Sequence, residues 1–331
     1  MRQIGLALVG AALLGTTAAR AEPPAVATDI PPVHSLVARV MQGVGEPSRI
    51  LPPNASPHGY AMRPSEAALL DRAEVVFWVG PELTPWLERA IGTLGSDATS
   101  VALIDAPGTM RLDFREGATF EAHHHDDEDG HDHDEDHEAH DHDDGEAHDH
   151  ADEHDHAHEH HGIDPHAWLD PENAKVWLDR IAETLAQADP DDAATYRKNA
   201  EAGKAEIDIA AAEVTAELAP VRDKPFIVFH DAYHYFENRF GLEAAGAVSL
   251  SDASKPGPAR VQEIRDTIRS LDATCVFVEP QFNTSLIAIL IEGTDARQGT
   301  LDPLGVDLTP GPALYPNLLQ ELAGDMVACL K

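Results

Sequence analysis

One long helical segment near the middle of the chain limits the possible folds more than any other feature. It begins at Asp189-Pro190, a pair typical of helix starts, because the carboxylate caps backbone N–H groups and proline is tolerated in the first turn. Apolar residues then recur at spacings of four and seven, at Tyr196, Ala200, Ile207, Val214 and Leu218. Pro220 ends the segment after Ala219. A helix of this length spans roughly 45 Å, so it can join two separate lobes.

Strand and helix signals alternate on both sides of this segment, which predicts parallel α/β structure. Before it, we predict strands at 25–30, 49–51, 75–79 and 101–104, and helices at 33–41, 64–72, 83–91 and 172–186. After it, we predict strands at 225–229, 245–248 and 275–278, helices at 233–240, 258–271, 284–292 and 313–330, and a further segment at 299–304. The predicted fold has two parallel-sheet (β/α) lobes, 22–189 and 222–331, joined by a single linking helix at 190–221.

The first 21 residues have the pattern of a secretory signal peptide. Arg2 is followed by an apolar run at 4–14 and by Ala19-Arg20-Ala21, so we expect cleavage after Ala21. A membrane anchor is the alternative, but the apolar run is short for a bilayer. Export implies an oxidising compartment, in which Cys275 and Cys329 would form one disulfide or remain two buried thiols.

A low-complexity tract at 121–161 contains only His, Asp, Glu, Ala and Gly. It holds 19 acidic residues, 15 histidines and no Lys or Arg. With no apolar periodicity it cannot bury a core, so we expect a disordered surface loop in the first lobe that binds metal ions weakly. Its histidines are His123, His124, His125, His131, His133, His137, His140, His142, His148, His150, His154, His156, His158, His160 and His161. The formal net charge of −36 argues against binding to nucleic acid or to anionic membranes.

Three histidines outside the tract are candidate ligands of one tighter site. His58 lies in a proline-rich loop after the second strand, His166 follows an Asp-Pro turn, and His230 follows the strand at 226–229. Asp302, held by the proline after it, is a fourth candidate. Open α/β sheets bind ligands at the carboxyl ends of their strands, and imidazoles with a carboxylate suit Zn²⁺.

The two remaining histidines of the chain are interpreted as structural. His34 and His234 each lie inside a predicted helix turn, away from the loop ends where the candidate ligands stand.

The motifs around these residues resemble those of the zinc-binding solute-binding proteins of ABC transporters, the ZnuA type. They are Asn-Ala-Ser-Pro-His ending at His58, Asp-Pro-His-Ala-Trp-Leu-Asp-Pro around His166, Phe-His-Asp-Ala-Tyr around His230, Glu-Pro-Gln-Phe from Glu279, and Leu-Asp-Pro-Leu-Gly around Asp302. The resemblance covers essentially the whole mature chain, in order. It implies two lobes bridged by a rigid helix, a metal ion between them, a histidine-rich loop and a disulfide in the C-terminal lobe.

The same resemblance implies a function. It predicts a monomeric periplasmic receptor, not an enzyme, that captures Zn²⁺ with high affinity and delivers it to the membrane permease of an ABC importer. Manganese-binding relatives typically have Glu as the third ligand, whereas His230 here favours zinc. Some zinc-binding members place Glu before the first histidine, where this chain has Pro57. The fourth ligand is therefore either Asp302 or water.

Metal-bound imidazoles usually donate their second N–H group to an acceptor. Glu279 and Asp231 are candidates for this role, although Asp231 is equally well interpreted as a simple loop carboxylate.

Three other functions are compatible with parts of the sequence. A secreted metal-dependent hydrolase would need an open coordination position and a general base, yet no base is evident and no His-Glu-x-x-His motif occurs. A secreted metal buffer or storage protein would depend mainly on the tract, and a manganese-type receptor would use the same cleft. Deletion of the tract separates a receptor, which keeps one tight site, from a buffer.

Overall fold

The computed structural model describes residues 22–115, 120, 162–249, 257–281 and 285–331. The predicted signal peptide at 1–21 and the tract at 121–161 lie outside the described residues. Within the described ranges, no helix has both the length and the apolar character needed to cross a membrane.

The N-terminal lobe contains a four-stranded parallel sheet with the strand order β2-β1-β3-β4. Its strands are β1 (Val26–Thr28), β2 (Ser48–Arg49), β3 (Val75–Trp78) and β4 (Thr99–Ala102). Its helices are α1 (Pro31–Val40), α2 (Pro64–Asp71), α3 (Pro85–Leu94) and α4 (Pro171–Ala188). Asp170 caps α4, because its Oδ1 accepts the N–H of Glu172 at 2.9 Å.

The C-terminal lobe repeats this arrangement with a parallel sheet of order β6-β5-β7-β8. Its strands are β5 (Phe226–His230), β6 (Gly246–Ser249), β7 (Cys275–Val278) and β8 (Arg297–Thr300). The linking helix between the lobes is α5 (Ala193–Leu218). The helices of the C-terminal lobe are α6 (His234–Phe240), α7 (Pro258–Ser270), α8 (Ser285–Ile291) and α9 (Leu314–Leu330). The carboxyl ends of parallel strands share one sheet edge, so loops that follow different strands are brought together there.

Helix α5 joins the lobes, which confirms the predicted architecture. It has 26 residues, hence a length of about 39 Å. All five apolar residues predicted for its inner face are buried. Its start differs from the prediction in two ways. Pro190–Asp192 forms a 3₁₀ turn before the helix. The carboxylate of Asp189 does not cap the helix but accepts a hydrogen bond from the hydroxyl of Tyr196 at 2.9 Å.

One hydrophobic cluster runs through both lobes and along α5. It includes Phe77 of β3, Tyr196 of α5, Phe226 of β5 and Tyr315 of α9. At Gly203 of α5, an added Cβ would lie 3.0 Å from side-chain atoms of Arg39 and Leu178, so glycine permits close packing onto α1 and α4. The two lobes therefore share this cluster, with α5 between them.

The edge strands depart most from the predicted boundaries. Strand β8 begins at Arg297 and most of its residues are exposed, whereas the prediction placed a segment at 299–304. Strand β4 also begins earlier than predicted, and its first two residues are exposed. Edge strands bury less side-chain surface, so an apolar pattern marks only part of them.

Cys275 and Cys329 form a disulfide across a sequence separation of 54 residues. It joins the first residue of β7 to the last turn of α9, as the sequence predicted for the C-terminal lobe.

Candidate metal centre

His58, His166 and His230 converge between the two sheets. His58 lies in the loop between β2 and α2, His166 precedes α4, and His230 is the last residue of β5, one position inside the strand that was predicted to end before it. The ring centroid of His58 lies 5.3 Å from the centroid of His166 and 5.3 Å from that of His230. The centroids of His166 and His230 are 4.9 Å apart. One ring nitrogen from each residue lies within 4.8 Å of the others. The three imidazoles can therefore meet around one ion.

The separation of two of these nitrogens matches a zinc centre. The Nε2 atoms of His58 and His166 are 3.3 Å apart. Two nitrogens bound tetrahedrally to Zn²⁺ at about 2.0–2.1 Å would lie about 3.3–3.4 Å from each other. An ion can thus be bound by this pair with little movement of either ring.

Asp164 orients the ring of His166. Its Oδ1 lies 2.6 Å from Nδ1 of His166 and also accepts the backbone N–H of the same residue at 2.9 Å. An ionised carboxylate only accepts hydrogen bonds, so the network assigns the imidazole proton to Nδ1 and leaves the lone pair of Nε2 for a metal. The sequence interpretation did not include Asp164 among the site residues. The signal for it was present in Asp-Pro-His, two residues before the candidate ligand.

Glu279 contacts the ring of His230 in the same way as Asp164 contacts the ring of His166. Its Oε1 lies 3.0 Å from Nδ1 of His230, and its Oε2 accepts the side-chain amide of Gln281 at 2.8 Å. Glu279 directly follows β7, which pairs with β5, so the sheet places the carboxylate beside the imidazole. This is the contact proposed for Glu279 from the sequence.

Of the two interpretations left open for Asp231, the structure favours a loop carboxylate. Both of its carboxylate oxygens accept hydrogen bonds from the guanidinium of Arg115, which also binds both oxygens of Glu237. Burial alone would lower the pKa of Arg115, but the two carboxylates raise it above its ordinary value. Asp231 therefore anchors the chain before the tract to the C-terminal lobe. Sequence reasoning missed this partner because Arg115 is 116 residues away.

The ionisation of the centre favours metal binding. Burial, with a smaller effect of His230, lowers the pKa of His166 well below its usual value. Burial also raises the pKa of Asp164 to about 7, although the backbone N–H of His166 opposes this shift, so the ionised carboxylate that accepts from His166 predominates above that pH. His166 is thus neutral near pH 7, the form in which imidazole binds a metal.

Asp302 lies outside the cluster formed by the three histidines. Its carboxylate accepts the backbone N–H groups of Leu304 at 3.0 Å and Val306 at 2.6 Å. Trp168 links this loop to the site, because its ring lies 5.2 Å from the ring of His166 and its indole N–H donates to Pro303 O at 2.8 Å. Both Asp302 oxygens are thus used in shaping their own loop.

The other two described histidines have structural contacts. Nε2 of His34, in α1, lies 3.2 Å from the carbonyl oxygen of Pro47. His234 begins α6, and its Nδ1 is 3.8 Å from Oδ2 of Asp164. The carboxylate of Asp164 therefore lies between His166 and His234.

Two parallel-sheet lobes, one joining helix and a three-histidine cluster between the sheets are typical of two-lobed solute-binding proteins that carry metal ions. The chain belongs to the zinc-uptake ZnuA family, since the family model described as "Zinc-uptake complex component A periplasmic" matches residues 26–329. A relative from Brucella abortus (strain 2308), named "High-affinity zinc uptake system protein ZnuA", is 50% identical over 305 residues, which cover 92% of this chain and 91% of the relative.

Solved structures share the fold. A crystal structure of ZnuA has a TM-score of 0.71 at 23% identity, covering 93% of this chain and all of that chain. The solute-binding protein FpvC from Pseudomonas aeruginosa, solved in complex with Mn²⁺, has a TM-score of 0.73 at 17% identity, covering 93% and 98% of the two chains. At these identities the likeness shows the fold alone.

Proposed function

We propose that this chain is a periplasmic receptor that binds Zn²⁺ with high affinity and delivers it to the membrane permease of an ABC-type importer. Its proposed ligands are His58, His166 and His230. The observation that carries the proposal is the convergence of three imidazoles, two of them 97–98% buried, with a 3.3 Å separation between two Nε2 atoms. The name of the Brucella relative supports zinc uptake as the process.

The chemistry of the ligands favours zinc over manganese. Neutral imidazoles suit Zn²⁺, whereas Mn²⁺ prefers carboxylate, carbonyl and water oxygens. The likeness to a manganese-bound structure indicates that the fold itself is compatible with either ion. We therefore assign the selectivity to the three nitrogen donors, with the fourth position filled by Asp302 or by water.

In this proposal the protein is a transport component and not an enzyme, because it binds its cargo and releases it unchanged. We propose that it acts as a monomer after removal of residues 1–21, with the permease as its macromolecular partner. Its acidity, −36 over the whole sequence, makes nucleic acid an unsuitable partner.

The test measures zinc affinity in the mature protein lacking residues 121–161, by competition with a chelator. His166→Ala and His230→Ala should each weaken binding by an order of magnitude or more, because the ion loses a nitrogen ligand. His34→Ala, which removes a histidine outside the cluster, is the matched control and should bind as tightly as the parent. Unchanged affinity in both cluster variants would refute the assignment.

A further inference from the structure

His58 is the ligand candidate whose position depends most on its surroundings. It lies between β2 and α2, within residues 50–63, which form no helix or strand. His230 ends a strand, and His166 directly precedes the 3₁₀ turn Ala167–Leu169. His58 is half-buried, whereas His166 and His230 are only 2% and 3% exposed. Side chains from outside this loop are therefore needed to define where the imidazole of His58 lies.

Trp86 supplies one of these contacts. Its indole N–H donates to the carbonyl oxygen of Pro57 at 2.7 Å, and this carbonyl belongs to the peptide bond that leads into His58. Trp86 is the second residue of α3 and packs against two hydrophobic clusters of the molecule. The donor is thus held by a helix that is anchored in the core.

Tyr60 extends this contact to the other side of His58. Its ring meets that of Trp86 edge to face, with centroids 5.5 Å apart and planes at 66°. Its hydroxyl donates to the carboxylate of Glu66 at 2.8 and 2.9 Å. Glu66 in turn accepts the backbone N–H of Arg63 at 2.7 Å. The indole of Trp86 therefore contacts the loop both before and after the ligand.

We propose that Trp86 is a positioning residue for zinc binding, which holds Pro57 so that His58 stays at bonding distance from the ion. The inference rests on the proposed function, in which His58 is a ligand. A tetrahedral site requires the Nε2 atoms of His58 and His166 to remain about 3.3 Å apart. Loss of the indole hydrogen bond lets the loop carry His58 away from that position, so the cost falls on metal affinity more than on folding.

The experiment uses the whole mature protein, with a chelator strong enough to keep weak sites empty. Trp86→Phe keeps an aromatic ring and removes the N–H donor, and should weaken zinc binding about tenfold, as is usual for groups that orient a metal ligand. Trp78→Phe is the matched control. Trp78 also donates its indole N–H, to Ser100 Oγ at 3.0 Å, and belongs to the cluster on which Trp86 packs. The control should retain the parent affinity.

A double-mutant cycle separates positioning from a general structural effect. If Trp86 acts through His58, Trp86→Phe should cause no further loss of affinity in a His58→Ala background. An additive loss, or parent affinity in Trp86→Phe alone, would overturn the inference. Full affinity in His58→Ala alone would instead refute His58 as a ligand, and with it the inference.

Circular dichroism of the zinc-free variants shows whether each one folds. Should Trp86→Phe fail to fold, Tyr60→Leu takes its place, because it removes the ring that packs on Trp86. It should likewise weaken zinc binding, and the loss should vanish in the His58→Ala background. A Tyr60→Leu variant with parent affinity would then overturn the inference.

Discussion

Nδ1 of His166 lies 2.6 Å from Oδ1 of Asp164, two residues earlier in the chain. Nδ1 of His230 has a comparable contact with Glu279, at 3.0 Å, but this partner is 49 residues later. The first pair is set by a local turn, and the second by the pairing of β5 with β7. Each ring is thus oriented by a carboxylate at Nδ1, which leaves Nε2 available to a metal.

The first prediction concerns these carboxylates. Asp164→Asn and Glu279→Gln keep the side-chain size and remove the negative charge that accepts the imidazole N–H. Each should weaken zinc binding about 10–100-fold, the usual effect of losing such a partner. Chelator competition on protein lacking residues 121–161 measures the change.

The matched control for both variants is Asp179→Asn. Asp179 is an exposed carboxylate of α4 that pairs with Lys204 at 2.8 Å, and its loss should leave zinc affinity unchanged. Equal zinc affinities for Asp164→Asn, Glu279→Gln and the control would show that the two carboxylates do not strengthen zinc binding by the imidazoles.

Much of the fold and part of the centre could be predicted from the sequence. The apolar spacing of α5 is visible because its inner face is continuous, from Tyr196 to Leu218. The three histidines could be selected because each stands at a strand end or beside a proline. Edge strand β8 was misplaced because its exposed residues carry little apolar pattern.

The contacts that orient the ligands could not be predicted in the same way. The bond from Trp86 to Pro57 joins residues 29 positions apart, and no local pattern marks it. Asp231 was a candidate acceptor for an imidazole N–H and was equally well interpreted as a loop carboxylate, whereas its position in the fold brings it to Arg115. Such pairings depend on tertiary packing, which periodicity does not encode.

The second prediction concerns the fourth ligand. We expect Asp302→Asn to weaken zinc binding at least tenfold, because a carboxylate would be the only anionic ligand beside three neutral imidazoles. To bind the ion, Asp302 must share an oxygen that now accepts the N–H of Leu304 or Val306. The visible absorption of the Co²⁺-substituted protein should change as well, because one ligand of the ion is replaced.

Asp307→Asn is the control for Asp302, since Asp307 is an exposed carboxylate in the same segment. It should alter neither the affinity nor the spectrum. If Asp302→Asn behaves like this control, water is the fourth ligand.

The third prediction concerns the tract at 121–161. Its 15 histidines and 19 acidic residues should bind several ions weakly, because a sequence with no apolar residue larger than alanine offers little to preform a site before the ion binds. Calorimetry on intact and tract-deleted protein should show that the deletion removes a weak, multi-ion phase and leaves one tight equivalent. The weak phase should fade as the pH falls towards 5, since free imidazoles take up protons near pH 6.5. Loss of the tight equivalent on deletion would identify the tract as the receptor site.

The last prediction concerns Asp29, a carboxylate with no exposed surface at the end of β1. Its oxygens accept the N–H groups of Ile30 at 2.7 Å and Val79 at 2.8 Å. Burial raises its pKa from 3.8 to about 7, although these hydrogen bonds lower it. The folded protein therefore binds this proton below about pH 7, whereas the unfolded chain binds it only below about pH 4. The stabilisation from this proton is complete below pH 4 and is lost as the pH rises through 7.

Asp29→Asn, which does not titrate, should remove this part of the pH dependence. Between pH 5 and 7 the unfolding free energy of the parent should fall relative to that of Asp29→Asn by up to about 1.4 kcal/mol per pH unit. Urea unfolding of both zinc-free proteins at pH 5, 6, 7 and 8 measures the two slopes of unfolding free energy against pH. Replacing one acceptor oxygen with an amide shifts the free energy of the variant at every pH and does not enter this comparison of slopes. Asp179→Asn should follow the slope of the parent. Parallel curves for Asp29→Asn and the parent would show that Asp29 ionises at its ordinary pKa, with the hydrogen bonds from Ile30 and Val79 compensating for its burial.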